Sequence, residues 1–193
     1  MTAINVLKTA DAVHMLTDGR VGAGKALGTV AKVMPLPHLN AAIATRGPAR
    51  LLGLMSLMLQ AKTVTLDDLV AEIHRLQSVC GHFKDPWQVE TLAANFDLVV
   101  IGIGSAGPKA YLVSNHGLHG QEPWHVIDLP EFLVTPVVNQ ELLESVFCAY
   151  DPFSEMPRLV EHQHAANITV GGFVQLTTVT TAGITTSIMK DWR

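Results

Sequence analysis

Thr2 is the residue whose type and position carry the most chemistry in this sequence. A threonine that becomes the first residue of a chain is a complete small catalyst. Its hydroxyl is the nucleophile and its own α-amine is the base. The ordinary pKa of an α-amine is about 7.7–8.0, so much of it is free to accept a proton near neutral pH. The site also needs a nearby cation to lower the pKa of the amine and the hydroxyl, and a carboxylate to orient that cation. A backbone N–H must receive the developing oxyanion. Met1 stands in front of Thr2. The small threonine side chain is compatible with removal of Met1; with Met1 retained there is no free amine and no mechanism of this kind.

Other stretches resemble sites and fail on inspection. Residues 19–26, GRVGAGKA, nearly fit the phosphate-loop pattern G-x-x-x-x-G-K-[ST], but Ala26 lacks the hydroxyl that holds Mg²⁺. The β-branched residues and two prolines that follow start no long helix whose dipole could face a phosphate. Nine histidines invite a metal reading. His116, His119 and His125 lack a carboxylate at a fixed offset, and His162 and His164, two apart, do not face one another on a helix. No metal and no cofactor are expected. Cys80 and Cys148 are far apart and read as buried, reduced thiols.

Composition narrows the partners. The chain has 193 residues, 48% apolar and 16% charged, which is enough for one core-rich folded domain spanning 1–193. Six Lys/Arg fall in residues 1–60 and eight acids in 121–161, yet the basic residues are scattered and form no stripe with aromatics, so a nucleic-acid partner is not expected. No apolar run approaches the roughly 18 residues of a membrane helix, and no secretory segment precedes the first apolar stretch. The expectation is a cytoplasmic protein without a membrane partner.

The elements that must position Thr2 follow from periodicity. Residues 3–7 and 11–17 read as a hairpin about Thr9-Ala10-Asp11, and 19–31 as a glycine-rich loop or irregular strand. VMPLP and LNAAIAT form a second hairpin. Pro48 opens a helix with Leu51, Leu54, Met55 and Met58 on one face. Thr65 caps a second helix, with acids in its first turn and Leu66, Leu69, Val70, Ile73 and Leu76 buried. After a turn from Gly81 to Pro86, FDLVVIGIG, KAYLVSN and WHVIDL read as strands. NQELLESVF and MPRLVEHQHA are helical, and GGFVQLTTVTTAGITTSIM is a terminal hairpin about Ala182-Gly183. Strands covered on both faces explain the near-continuous apolar runs. The expected fold is α+β: a four-layer αββα sandwich, two antiparallel sheets between helical layers.

With these motifs in view, the chain resembles proteasome β-type subunits of the N-terminal-nucleophile (Ntn) hydrolase superfamily, as a divergent member. The likeness runs the whole length in outline and is specific over about the first 60 residues. Thr2 matches the family's nucleophile, Asp18-Gly19-Arg20 its aspartate-x-arginine, and Lys32-Val33 the lysine that opens the next strand. The resemblance implies Thr2 as nucleophile, Lys32 as the group that adjusts its pKa and Asp18 as the ion-pair partner of Lys32. The oxyanion donor would be the backbone N–H of Arg46 or Gly47. It also implies peptide or other amide substrates, homo-oligomeric rings and an ATP-dependent unfoldase or larger assembly as partner.

The departures are specific. Arg46-Gly47-Pro48 replaces the family's Gly-Gly turn, so a side chain on Arg46 is expected to crowd the pocket. EFLVTPVVNQ lacks the family's glycine-flanked serine. AANITVGG offers Asn167 and, one position off, Thr169 where the family has an aspartate and a hydroxyl. Arg20, Asn167 and Thr169 are therefore the expected supporting residues. The competing expectation is a catalytically inactive relative that keeps self-assembly as a structural or scaffold protein.

Overall fold

The computed structural model describes residues 2–22, 28–60, 65–118 and 120–192. The first two apolar runs form β1 (Ile4–Lys8) and β2 (Ala12–Asp18), antiparallel with Ile4 opposite Thr17 and Lys8 opposite Val13. Thr9 closes their turn: its hydroxyl accepts the Ala12 N–H at 3.2 Å, and its own N–H donates to the Ala12 carbonyl at 2.9 Å. β3 (Arg20–Val21) and β4 (Gly28–Thr29) form a small ladder of their own. Gly24, Lys25 and Ala26 of the phosphate-loop-like run lie outside the described residues. β5 (Val33–Leu36) and β6 (Ala41–Arg46) make the second hairpin.

Helices follow where apolar residues recur at helical spacing. α1 (Leu51–Gln60) and α2 (Leu66–Cys80) match the expected pair. Thr65 and Asp68 form a reciprocal capping box. The Thr65 hydroxyl accepts the Asp68 N–H at 3.1 Å, and the Asp68 carboxylate accepts the Thr65 N–H at 3.1 Å. A third helix, α3 (Pro86–Ala93), begins at the last residue of the stretch read as a turn and fills a segment to which no element was assigned. The chain continues through β7 (Asp97–Gly104), β8 (Gly107–Ser114), β9 (Val126–Asp128) and β10 (Phe132–Thr135). α4 (Gln140–Phe147), α5 (Pro152–Glu155) and α6 (Pro157–Ala166) precede the closing hairpin of β11 (Phe173–Thr180) and β12 (Gly183–Asp191).

One five-stranded sheet has the order β10-β1-β2-β11-β12 and the other β5-β6-β7-β8-β9, with every pairing antiparallel. Strand side chains alternate between faces, and β7 shows why its run is apolar throughout. Val99 and Ile101 join Ile4, Val6, Val13 and Met15 between the two sheets. Leu98 and Val100 point the other way, into a cluster with Leu51, Met55, Leu69 and Ile73 of α1 and α2. Ala42, Ala44 and Ala110 lie in the inter-sheet cluster, where small side chains allow close approach.

The expected four-layer αββα sandwich is corrected. The protein is mostly β, 37% strand against 31% helix, with three antiparallel sheets and six α-helices among the described residues. Two physical causes stand out. The glycine-rich stretch after β2 takes the irregular-strand alternative, and its β3–β4 ladder stands as a third sheet apart from the two large ones. Pro152 and Pro157 restart the chain, so α5 and α6 are only 4 and 10 residues long. Met156 and Val160 cover Leu7, Leu16 and Leu176, while β12 is left largely exposed, Ile188 and Met189 included. Among the described residues no helix is long and apolar enough to cross a membrane. Cys148, expected inside, is exposed, whereas Cys80 is half-buried and its thiol pKa is pushed up to about 11 by burial.

Candidate active site

Asp18 ends β2 and is fully buried, and its carboxylate collects four donors. Oδ1 accepts the Ala3 N–H at 2.8 Å and the Lys32 ammonium at 2.8 Å. Oδ2 accepts the N–H groups of Arg20 and Gly171, each at 3.1 Å. The β1–β2 register sets this up. Ile4 pairs with Thr17, so the chain just before β1 runs alongside the end of β2. A buried carboxylate is tolerated only when its lone pairs and charge are answered, and here both are.

Lys32 immediately precedes β5 and is 7% exposed. Burial pushes its ammonium below the ordinary lysine range, while the charge of Asp18 and the hydrogen bond to it pull the other way. Thr2, itself buried, shares with Lys32 the wall of a cavity of about 540 Å³. Arg20, Met34, Thr45 and Gly47 also line it. The structure therefore brings Thr2, Lys32 and Gly47 to one cavity, with Asp18 behind Lys32.

Gly47 is required where it stands. Its φ is +146°, and an added Cβ would lie 2.8 Å from the Phe96 Cβ. The expected crowding by Arg46 does not occur. Along β6 alternate side chains face opposite ways, so Thr45 reaches the Thr2 cavity and Arg46 does not. The Arg46 guanidinium pairs with Asp97, its neighbour in register on β7, and donates to the Thr135 hydroxyl at 2.5 Å. His116 Nε2 stands 3.2 Å from the other Asp97 oxygen, close enough for an ion pair but without hydrogen-bond alignment.

Asn167 and Thr169 act at one remove. The Thr169 hydroxyl and N–H both donate to Asn167 Oδ1, at 2.7 and 3.0 Å, and the Val170 N–H donates to the Asn167 carbonyl at 3.0 Å. This turn carries the Gly171 N–H to Asp18. Neither side chain lines the Thr2 cavity. Sequence reading missed Gly171 as a donor and missed the tie that holds its loop. His164 Nδ1–H donates to the Val170 carbonyl at 2.7 Å, its ring stacks on Trp192 with centroids 4.3 Å apart, and the Trp192 N–H donates to the Gly172 carbonyl at 2.9 Å. The glycine pair in TVGG was the available signal, since two glycines before a strand mark close backbone approach.

Comparison with protein families and with curated protein sequences gives no match. What the geometry can do chemically rests on the side chains themselves. A buried cation–carboxylate pair beside a hydroxyl lowers the free energy of an alkoxide there and of a nearby unprotonated amine. Among the described residues no three His, Cys, Asp or Glu come together as a metal site; His119 lies outside them.

Proposed function

We propose that this protein is an N-terminal threonine hydrolase that cleaves peptide or other amide bonds, a divergent relative of the Ntn hydrolases resembling proteasome β-type subunits. The observation that carries the reading is the Lys32–Asp18 ion pair at the wall of a cavity that Thr2 and Gly47 also line. After Met1 is removed, the Thr2 hydroxyl adds to the substrate carbonyl and its proton passes to the α-amine. The Gly47 N–H receives the oxyanion. The carbon–nitrogen bond breaks, the leaving amine takes the proton, and an ester to Thr2 remains. Water then gives its proton to the α-amine and adds to the ester, and the acid leaves as the Thr2 hydroxyl is restored. Lys32 supplies positive charge throughout and Asp18 holds it in position. The same kinship supports homo-oligomeric rings, an ATP-dependent unfoldase partner and a cytoplasmic location.

The test begins with intact mass, which reports whether Thr2 is the first residue. A β-lactone or epoxyketone is then expected to add once, at Thr2, and not to a Thr2→Ala variant. One observation favours a second reading. Asn167 stands where the family has an aspartate, and neither it nor Thr169 lines the Thr2 cavity, so the supporting carboxylate of the family is absent there. No adduct on a confirmed Thr2 terminus would assign the chain to that reading, an inactive self-assembling scaffold.

A further inference from the structure

A separate cavity of about 240 Å³ lies between the two large sheets near β10 and shares no lining residue with the Thr2 cavity. Ile4 of β1, Val99 of β7, Leu112 of β8 and Leu133 of β10 give it apolar walls from the inter-sheet core. Its polar end is formed by Arg46 and Asp97, and Asp97 is 3% exposed. The two Asp97 oxygens are served unequally. Oδ2 accepts the Arg46 Nε–H at 2.6 Å, while Oδ1 has no hydrogen-bond partner among the described residues. His116 Nε2, 3.2 Å from Oδ1, is out of line for one. A carboxylate oxygen has two lone pairs, and leaving a buried acceptor unmet is costly. The mouth of the cavity is held in place. Val137, 79% exposed, stands there, and Gln163 of α6 donates to the carbonyl of neighbouring Pro136 at 2.6 Å. Gln163 is itself locked to Asn5 of β1 by a reciprocal amide pair at 2.8 and 3.0 Å.

We infer that this cavity binds a small neutral aromatic molecule of one or two rings, whose single N–H or O–H donates to Asp97 Oδ1. Size, charge and polarity each select. A dry apolar cavity of roughly 150 Å³ takes benzene, so 240 Å³ admits a somewhat larger ring system. A rigid ring also loses no internal rotation on entering a preformed space. Arg46 already neutralises Asp97, so a cationic ligand would leave a net positive charge buried and an anionic one would meet the carboxylate. A ring without a donor would keep water from Oδ1 and offer no hydrogen bond in its place. Binding here does not depend on whether Thr2 reacts.

Indole and two of its methyl derivatives test this. 3-Methylindole keeps the N–H and 1-methylindole lacks it, at the same size. Titration calorimetry on the whole chain is expected to show 3-methylindole binding at least about tenfold more tightly than 1-methylindole, the effect of one hydrogen bond to a charged acceptor. Leu118→Trp fills the cavity from a partly buried position on its wall and should weaken indole and 3-methylindole at least about tenfold. Isomers within twofold of each other would overturn the assignment, because Asp97 would then take no part. Binding unchanged in a folded Leu118→Trp variant would overturn it too, by placing the ring elsewhere. So would no binding of any of the three to the folded protein, since the cavity would then hold water alone. If Leu118→Trp does not fold, the isomer comparison on the unaltered chain decides by itself.

Discussion

Replacing Asp18 by asparagine tests whether one carboxylate organises the site. The amide keeps one acceptor oxygen and turns the other into a donor. Whichever way it is oriented, two of the four donors that Asp18 now satisfies must face an N–H₂ group: either Ala3 N–H and Lys32, or Arg20 N–H and Gly171 N–H. Each orphaned buried donor costs about 1–3 kcal/mol. An ammonium left buried without its counter-charge raises the total toward the roughly 3–5 kcal/mol typical of a broken buried pair. Asp18→Asn is therefore expected to lose about 4 kcal/mol, a large part of a stability of about 5–15 kcal/mol.

Lys32→Met should be milder. Three of the four donors to Asp18 are backbone groups and survive the change, and the desolvation that depresses the Lys32 pKa is removed with the ammonium. The expected loss is about 1–3 kcal/mol, and the double variant should lose less than the sum of the singles because the two side chains share one contact. Urea titration at fixed pH, with m-values compared to confirm equal unfolding, measures all three. A Lys32→Met variant as destabilised as Asp18→Asn, or losses that simply add, would refute the four-donor anchor.

Gly47→Ala should destabilise by about 1–3 kcal/mol through the positive φ alone, with the close Phe96 contact added, and should suppress labelling of Thr2 by the β-lactone. The pH dependence follows from Lys32, whose folded pKa lies below its unfolded one. Between the lowered value and the ordinary 10.5 the unfolded chain binds more protons, so stability rises with pH across that window while labelling falls as the helpful charge is lost. In Lys32→Arg the alkaline limb of the labelling profile should vanish, because a guanidinium stays protonated throughout.

Much of the fold was legible locally and less of it globally. The hairpin of β1 and β2, the capped start of α2 and the β11–β12 hairpin follow from turn residues and periodicity within a dozen positions. The layer count did not follow. Whether a glycine-rich run forms a ladder, or two prolines split a helix, depends on partners far away in sequence. β10 was missed for the same reason. Its residues FLVT lie between Glu131 and Pro136, and only pairing with β1 makes them a strand. α3 was missed because WQVETLA, with a β-branched Val and Thr, shows a weak helical stripe that Pro86 at its first turn and packing against α1 stabilise. At the site, Asp18 and Lys32 could be named from their motifs. Gly171 was marked only by the glycine pair in TVGG, which signals close backbone approach but not which N–H donates or to what.

The backbone donors to Asp18 come from residues 3, 20 and 171, so this one carboxylate joins the chain before the first strand to the loop before the penultimate one. That role alone needs no lysine. Backbone N–H groups hold a buried carboxylate well, and one that accepts two or three of them keeps its charge without a cation beside it. Lys32 instead sits buried at the wall of the cavity that Thr2 shares, in surroundings that weaken its hold on a proton. A scaffold would tolerate its loss, while a threonine nucleophile would not. The decisive comparison is thus Lys32→Met measured twice on the same sample. A small stability loss accompanied by more than a hundredfold loss of Thr2 labelling favours catalysis, and a small stability loss with labelling intact argues that the lysine serves the fold alone.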